Sequence, residues 1–355
     1  MPESELNNPG RPVRDGEELD WSALDRVLKQ VIPGLGGDPL VSQFPGGNSN
    51  LTYRLQYATD DLVVRRPPFG TKARSAHSMI REYRIMTGLK PVYSAVPETL
   101  YYSDDESVIG SEFYVMRKVE GAVIKQVLPP EWNLDQAGCR RFCVQFWEKL
   151  IELHQVDCVA AGLADFGRAE GYVERQVLGW NARYEKVVTP DVDRFSAVQD
   201  WLVSRMPAES DRHSILHGDY RIDNVILAHD APHDILAVLD WEISALGDPL
   251  MDLGNSLAYW MQEDDPAELR GLSMQPSMAP GMLTRDEILA LYTERTGMDT
   301  SAFDFYLVCG YWRVAVILQQ IYYRYFNGQT SDQRFAGFGQ AVQNLGEHCQ
   351  RLIDA

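Results

Sequence analysis

Ser214 to Asp252, SILHGDYRIDNVILAHDAPHDILAVLDWEISALGDPLMD, constrains this chain more than any other stretch. Two apolar runs, Val225–Leu227 and 235–239, flank the polar, proline-containing turn HDAPHD, and this pattern predicts a short hairpin. Such a hairpin returns Asp240 beside Asn224, and Asp219 stands five residues before Asn224 in HGDYRIDN. Two carboxylates and an amide oxygen converging on one point suit hard divalent cations, which take oxygen ligands. Phosphoryl transfer needs little else: a metal to neutralise the phosphates, an acceptor for the attacking hydroxyl's proton, and fixed alignment. The pattern makes Asp219 the catalytic base, gives magnesium to Asn224 and Asp240, and places Arg221 to reach the transferred phosphate. A bland alternative is a turn rich in Asp and Asn, which turns favour anyway. Against it stand the preceding His217-Gly218, the two apolar strands, Asp240-Trp241-Glu242, and Gly247-Asp248-Pro249 running on to Asp252-Leu253.

Taken together, HGDYRIDN, VLDWE and GDPLMDL resemble the catalytic core of the aminoglycoside phosphotransferase family, the small-molecule branch of the protein-kinase-like fold. More narrowly they resemble the phosphotransferase-like domain found with acyl-CoA dehydrogenases. The resemblance runs over residues 35–345. It implies an α+β, two-lobed fold with a five-stranded antiparallel N-lobe, a mostly helical C-lobe, and ATP bound between them. The expected divisions are a disordered lead-in over 1–19, the N-lobe over 20–120 and the C-lobe over 121–355.

Taken in order, the chain opens with a polar segment containing Pro, Gly and charges, with no visible signal peptide. Asp20 can cap a helix that presents Leu24, Val27, Leu28 and Val31 on one face. Gly46-Gly47-Asn48-Ser49 then precedes the alternating strand Leu51 to Tyr57. A glycine turn there can lie over phosphates, because its N–H groups can approach an anion; taken alone, Gly-Gly is an ordinary hairpin turn. Leu62 to Arg66 reads as the next strand, stopped by prolines. Kinase-like folds carry a phosphate-contacting lysine at this position, and the chain offers Arg65 instead, with Arg66 on the opposite face. Glu82, the one acid in the helical pattern 78–89, is the expected partner of Arg65; otherwise it is a surface glutamate among arginines. Two further strands, 97–102 and 112–119, surround an acidic turn and complete five. By resemblance, Phe113 to Gly121 is the inter-lobe hinge, with Met116 against the adenine pocket and the Arg117 and Val119 backbones bonding the base.

From Pro129 the period becomes helical, with Phe142, Phe146, Leu150 and Leu153 on one stripe. Tyr172, Gln176, Trp180 and Tyr184 recur at four-residue spacing, either as core or as a wall of the acceptor pocket that the family builds from added helices. Asp248 and Asp252 resemble positions that brace the catalytic loop. Residues 260–281 are irregular, a solvated loop or a mobile wall of the acceptor site, and Thr284-Arg285-Asp286-Glu287 is a capping box.

Thirty-three basic residues against 51 acidic ones leave a net charge of −18, a surface that repels nucleic acid and anionic membranes. The most apolar run, 303–326, is interrupted by Arg313, Gln319, Gln320 and Arg324, as in a buried helix. Five cysteines without Cys-x-x-Cys suit a reducing cytoplasm. Cys139, Cys143, His154 and Cys158 do not form a zinc set, since Cys139 and His154 stand ~20 Å apart on one helix. The expected function is transfer of the terminal phosphoryl of ATP, with Mg2+, to a hydroxyl of a small molecule, a hydroxyacyl-CoA or related metabolite. An aminoglycoside acceptor is one alternative, and a nucleotide-binding pseudokinase is another, supported by the lysine-to-arginine departure. Oligomeric state has no signature in the sequence.

Overall fold

The computed structural model describes residues 10–45, 50–70, 78–208 and 212–354. Its elements run α1 (Trp21–Val31), β1 (Leu40–Gln43), β2 (Leu51–Gln56), β3 (Asp61–Arg66), α2 (Met79–Leu89), β4 (Thr99–Ser103), α3 (Glu106–Ile109) and β5 (Phe113–Arg117). There follow α4 (Gln136–His154), α5 (Tyr172–Glu185), α6 (Ser196–Ser204), β6 (Ser214–Leu216), β7 (Val225–Leu227), β8 (Ile235–Val238) and β9 (Ala245–Gly247). The chain ends in α7 (Pro249–Leu257), α8 (Ala267–Arg270), α9 (Arg285–Thr296), α10 (Asp304–Phe326) and α11 (Phe338–Asp354). Two compact units result: Met1–Ile124 with Cys158–Ala164 and Asn224–Ser244 form the first, and the remainder forms the second.

The first unit is built on an antiparallel sheet of order β1-β2-β3-β5-β4, the five strands the sequence predicts. Alternation decides which way β2 faces: Leu51, Tyr53 and Leu55 are buried while Gln56 is exposed. They meet Leu62, Val64, Phe113 and Val115 from the neighbouring strands and Leu24 and Leu28 from α1 in one cluster. Each such buried aliphatic side chain contributes about 1.5–3 kcal/mol. Asp20 caps α1 through the Ala23 N–H at 2.9 Å, as its sequence position implies. The β7–β8 hairpin belongs to this unit, with Ala122 bridging Leu227 and Val238 N–H donating to Ala95 O at 2.8 Å. Gly121 allows that approach, because a Cβ there would stand 2.5 Å from Leu227 O.

Two segments of the first unit differ from the sequence expectation. Part of the expected disordered lead-in is docked: Arg11 bridges Gln43, Arg14 N–H donates to Gln43 Oε1, and Glu17 O accepts the Tyr53 hydroxyl at 2.7 Å. Residues 1–9 lie outside the described ones. The acidic turn between β4 and β5 holds a one-turn helix, α3, because Asp105 caps it and Gly110 at φ +79° ends it.

The second unit is mostly helical. Phe142, Phe146, Leu150 and Leu153 of α4 are buried as one stripe, and α10 packs with α5, α7 and α11. Residues 260–281 are not a solvated loop: Trp260, Met261, Leu269, Gln275 and Ser277 are buried, and Asp265 pairs with Arg285 at 2.5 Å. Thr284 and Glu287 make the expected capping box. Among the described residues, no helix is long and apolar enough to cross a membrane.

Candidate active site

In the second unit, β6 and β9 pair antiparallel and deliver His217 and Gly218 to a tight turn. Gly218 sits at φ +85°, a conformation that favours glycine. The turn is fastened to one fully buried carboxylate. Asp252 Oδ2 accepts His217 N–H at 2.7 Å, Oδ1 accepts Gly218 N–H at 2.8 Å, and His154 Nε2 lies 3.1 Å from Oδ2. Burial alone would raise the Asp252 carboxyl, yet the His154 hydrogen bond, the two imidazoles and the His217 N–H outweigh it and hold it below the usual carboxylate range. Beyond the base position, Tyr220 is buried among Phe146 and Trp147 and donates to Phe146 O at 2.6 Å, and Ile222 N–H donates to Gln275 Oε1 at 3.0 Å.

Asp219 therefore stands on an immobilised backbone while its own carboxylate keeps 24% of its surface. Its N–H donates to His217 Nδ1 at 3.2 Å. Arg221 reaches towards it, Nε to Oδ1 at 3.7 Å, while Nη2 pairs with Asp223 at 3.0 Å and the guanidinium lies 5.1 Å from the centre of the Tyr259 ring. Asp252 braces this turn as the resemblance implies, whereas Asp248 caps α7 through Leu250 N–H and accepts the Tyr306 hydroxyl. A cleft of about 250 Å³, bounded by Tyr172, Glu174, His213 and Asp248, opens at the other end of β6 and β9; it takes in Tyr172 of the expected acceptor wall, but among the described residues none of the expected catalytic, nucleotide-binding or metal-holding ones lines it.

The first unit holds the phosphate- and metal-directed candidates. Arg65 Nε lies 3.5 Å from Glu82 Oε2, and Arg65 Nη2 lies 3.3 Å from Asp240 Oδ1. Glu82 is not on the surface: it is 1% exposed and also accepts from Asn50 Nδ2 at 3.1 Å and from the Tyr114 hydroxyl at 2.7 Å. Burial would lower the Arg65 pKa, but Glu82 foremost, then Tyr114, Asp240 and Glu242, hold it above the ordinary range, so the group is a fixed cation. Burial followed by Glu82 raises Tyr114, which stays a neutral donor. Arg66 points elsewhere, onto Ile109 O and the Phe69 ring.

Asp240 follows β8 at φ +66°, a left-handed position that Asp tolerates better than most residues, with its side chain 37% exposed. Leu239 N–H donates to Asn224 O at 2.8 Å, so the hairpin holds Asn224 next to the residue before Asp240. One carboxylate and one amide are the oxygen donors that magnesium takes, and the set fits that ion chemically.

At the expected hinge, Met116 is buried in β5, and Arg117 N–H is engaged by Glu98 O at 2.8 Å. A donor engaged in this way is not open to a base. Gly46, Gly47, Asn48 and Ser49 lie outside the described residues.

Residues the sequence reading passed over complete both clusters. In the first unit they are Asn50, Tyr114 and Glu242; Asn50 Nδ2 also reaches Glu242 Oε2 at 3.1 Å, and an Asp-x-Glu step after the apolar run was the available signal. In the second they are His154, Tyr292, Gln275 and Arg313, whose partners lie far off in sequence. The aromatic stripe on α5 divides: Tyr184 is core, bonded to Asp193 O and packed on Trp312, whereas Trp180 is half-buried under Arg183 and Arg313.

Comparison with known proteins agrees with this geometry. The chain is 34% identical to acyl-CoA dehydrogenase family member 10 of Mus musculus over 95% of its length, covering 31% of that protein. It is 32% identical to acyl-CoA dehydrogenase family member 11 of Gallus gallus over 94% of its length, covering 44% of that protein. It thus spans less than half the length of these relatives. A crystal structure from Ralstonia eutropha, assigned as an aminoglycoside phosphotransferase, superposes with a TM-score of 0.82 at 31% identity, over 94% of this chain and 98% of that one. Residues 40–287 match the model of the phosphotransferase enzyme family, and the chain belongs to that family.

Proposed function

We propose that this protein moves the terminal phosphoryl group of ATP, with magnesium, to a hydroxyl of a small molecule, a hydroxyacyl-CoA or related metabolite, in a reducing cytoplasm. One observation carries the reading. Asp252, 0% exposed, spends both oxygens on the backbone before Asp219, and so leaves Asp219 as a partly exposed carboxylate on a rigid turn. That is the arrangement a general base needs, with fixed position and room for a hydroxyl. Asp219 takes the proton of the acceptor hydroxyl as its oxygen bonds to phosphorus and the bond to the departing ADP breaks. Arg221, already within 3.7 Å of Asp219, offsets charge on the phosphoryl oxygens. Arg65, fixed by Glu82, holds the nucleotide phosphates. Asn224 and Asp240 hold magnesium, with Glu242 as an additional acid of the same cluster; when bound, the ion supplies charge neutralisation at the phosphates. The dehydrogenase names of the relatives favour an acyl-CoA-related acceptor over an aminoglycoside.

The test is magnesium-dependent ADP formation against a panel of 3- and 4-hydroxyacyl-CoAs and aminoglycosides. Asp219→Asn should lower kcat by about 10²- to 10⁴-fold while nucleotide binding stays near that of the parent. Equal loss of both would make Asp219 structural, and ATP binding without turnover on any acceptor would favour a binding module.

A further inference from the structure

Arg313 carries more hydrogen-bonding capacity than the protein uses. It stands midway along α10, 7% exposed. Its Nη2 donates to Gly218 O at 2.9 Å, the carbonyl just before the base. Its Nη1 is buried as well and meets no acceptor, and among the described residues no carboxylate pairs with it. A guanidinium is a permanent cation with five N–H donors, and a buried charge of that kind is stable only when an anion answers it.

Arg313 and Arg183 share one aromatic neighbour. The Arg313 guanidinium lies 5.7 Å from the centre of the Trp180 ring, and Arg183 lies 4.4 Å from the same ring. Tyr259, raised first by burial, is then lowered by Arg313 and raised by Asp219, so both charges act on one phenol. Arg221 is matched by Asp219 and Asp223, which leaves Arg313 as the cation with charge to spare beside the turn. The chain's net charge is acidic, but charges act most strongly over a few ångströms, and here Arg313 adds a cation that Asp219 and Asp223, taken up by Arg221, do not answer.

We propose that Arg313 is a specificity-determining residue whose Nη1 receives an oxyanion of the acceptor, so that the molecule phosphorylated carries negative charge close to its hydroxyl. The inference rests on the phosphotransferase reading for the hydroxyl, and on Arg313 alone for the charge. A carboxylate of the acceptor itself, as in a free hydroxy acid, would supply it; the phosphates of a CoA thioester stand a pantetheine arm away from the acyl hydroxyl, and a polycationic aminoglycoside carries no such charge.

The test measures binding by calorimetry, independently of turnover, with 4-hydroxybutyrate, its methyl ester, and its CoA and pantetheine thioesters, on the full chain with ATP absent. The parent should bind the acid at least tenfold tighter than the neutral ester and the pantetheine thioester. Preference for the acid over the ester identifies the carboxylate, and a preference for the CoA over the pantetheine thioester without one for the acid overturns the proposal. Arg313→Met should erase the preference, and Arg313→Lys, which keeps the charge, should restore part of it; matched melting curves guard against misfolding. Equal binding of charged and neutral probes by the parent, or no binding of any of them, overturns the proposal. So does equal weakening of both by Arg313→Met, which would leave Arg313 only as a support of Gly218. Tight, Arg313-dependent binding of the acid without phosphoryl transfer would instead sink the phosphotransferase reading and leave this one standing.

Discussion

Each unit contains a buried carboxylate that supports a more exposed one, and the two are solved differently. In the first, Glu82 carries Arg65, which in turn touches Asp240. In the second, Asp252 carries the His217 and Gly218 amides, which lead directly into Asp219. Glu82 is answered by a permanent cation together with an amide and a phenol; Asp252 is answered by two backbone N–H groups and an imidazole. A side-chain ion pair tolerates small movements of either partner, because Coulomb attraction falls slowly with distance. Backbone hydrogen bonds fail steeply with angle and distance. The first arrangement suits a group that must shift with a ligand, and the second suits one that must not move.

The largest expected effect breaks the second cluster. Asp252→Ala orphans three buried donors at once and should lower the unfolding free energy by about 3–5 kcal/mol, read from urea denaturation. The same comparison run against pH sharpens the point. Asp252 is depressed in the folded state, so its contribution is complete above the unfolded carboxyl value of about 3.9 and is lost as pH falls through the lower native one. The gap between parent and variant should therefore stay level from neutral pH down to about 4 and close only below that. A gap that closed between pH 6 and 7 would assign the stabilisation to a histidine charge instead.

Glu82→Gln should do less. Arg65 keeps Asp240 at 3.3 Å, and the new amide can still meet Asn50 or Tyr114, so the expected loss is about 1.5–3 kcal/mol. Its functional signature is opposite in kind, with the KM for ATP rising by more than kcat falls, because the cation is loosened and not removed. A fall in kcat alone would show that the two clusters do the same work.

How much of this was legible in the sequence follows from the range of each interaction. The β7–β8 hairpin, the Asp20 cap and the Thr284 capping box are written within a few residues, as turn chemistry and caps always are. Arg65 with Glu82 was legible only through the resemblance, and Asp252 likewise. Nothing local marks Arg313, whose neighbours in α10 are apolar and whose partner Gly218 lies 95 residues away. Gln275 is read as loop from composition because its partner, Ile222 N–H, is 53 residues off. Trp180 and Tyr184 share one periodicity and part company only in three dimensions, where Trp312 covers one and Arg313 lies over the other.

The smallest effect asks whether the second cluster extends further than Asp252. A carboxylate only accepts, so His154 Nε2 carries its proton, and in the neutral ring Nδ1 accepts from the Tyr292 hydroxyl at 2.9 Å. Burial, reinforced by Asp252 and Asp248, raises Tyr292 and keeps that hydroxyl protonated. Tyr292→Phe removes one neutral hydrogen bond and should cost about 0.5–1.5 kcal/mol. If Tyr292 acts by fixing the tautomer that holds Asp252, the cost should shrink when Asp252 is already Ala, since the ring then has no carboxylate to face. A double-mutant cycle on urea midpoints reads that coupling. Costs that add independently would end the cluster at His154 and make Tyr292 an ordinary core phenol.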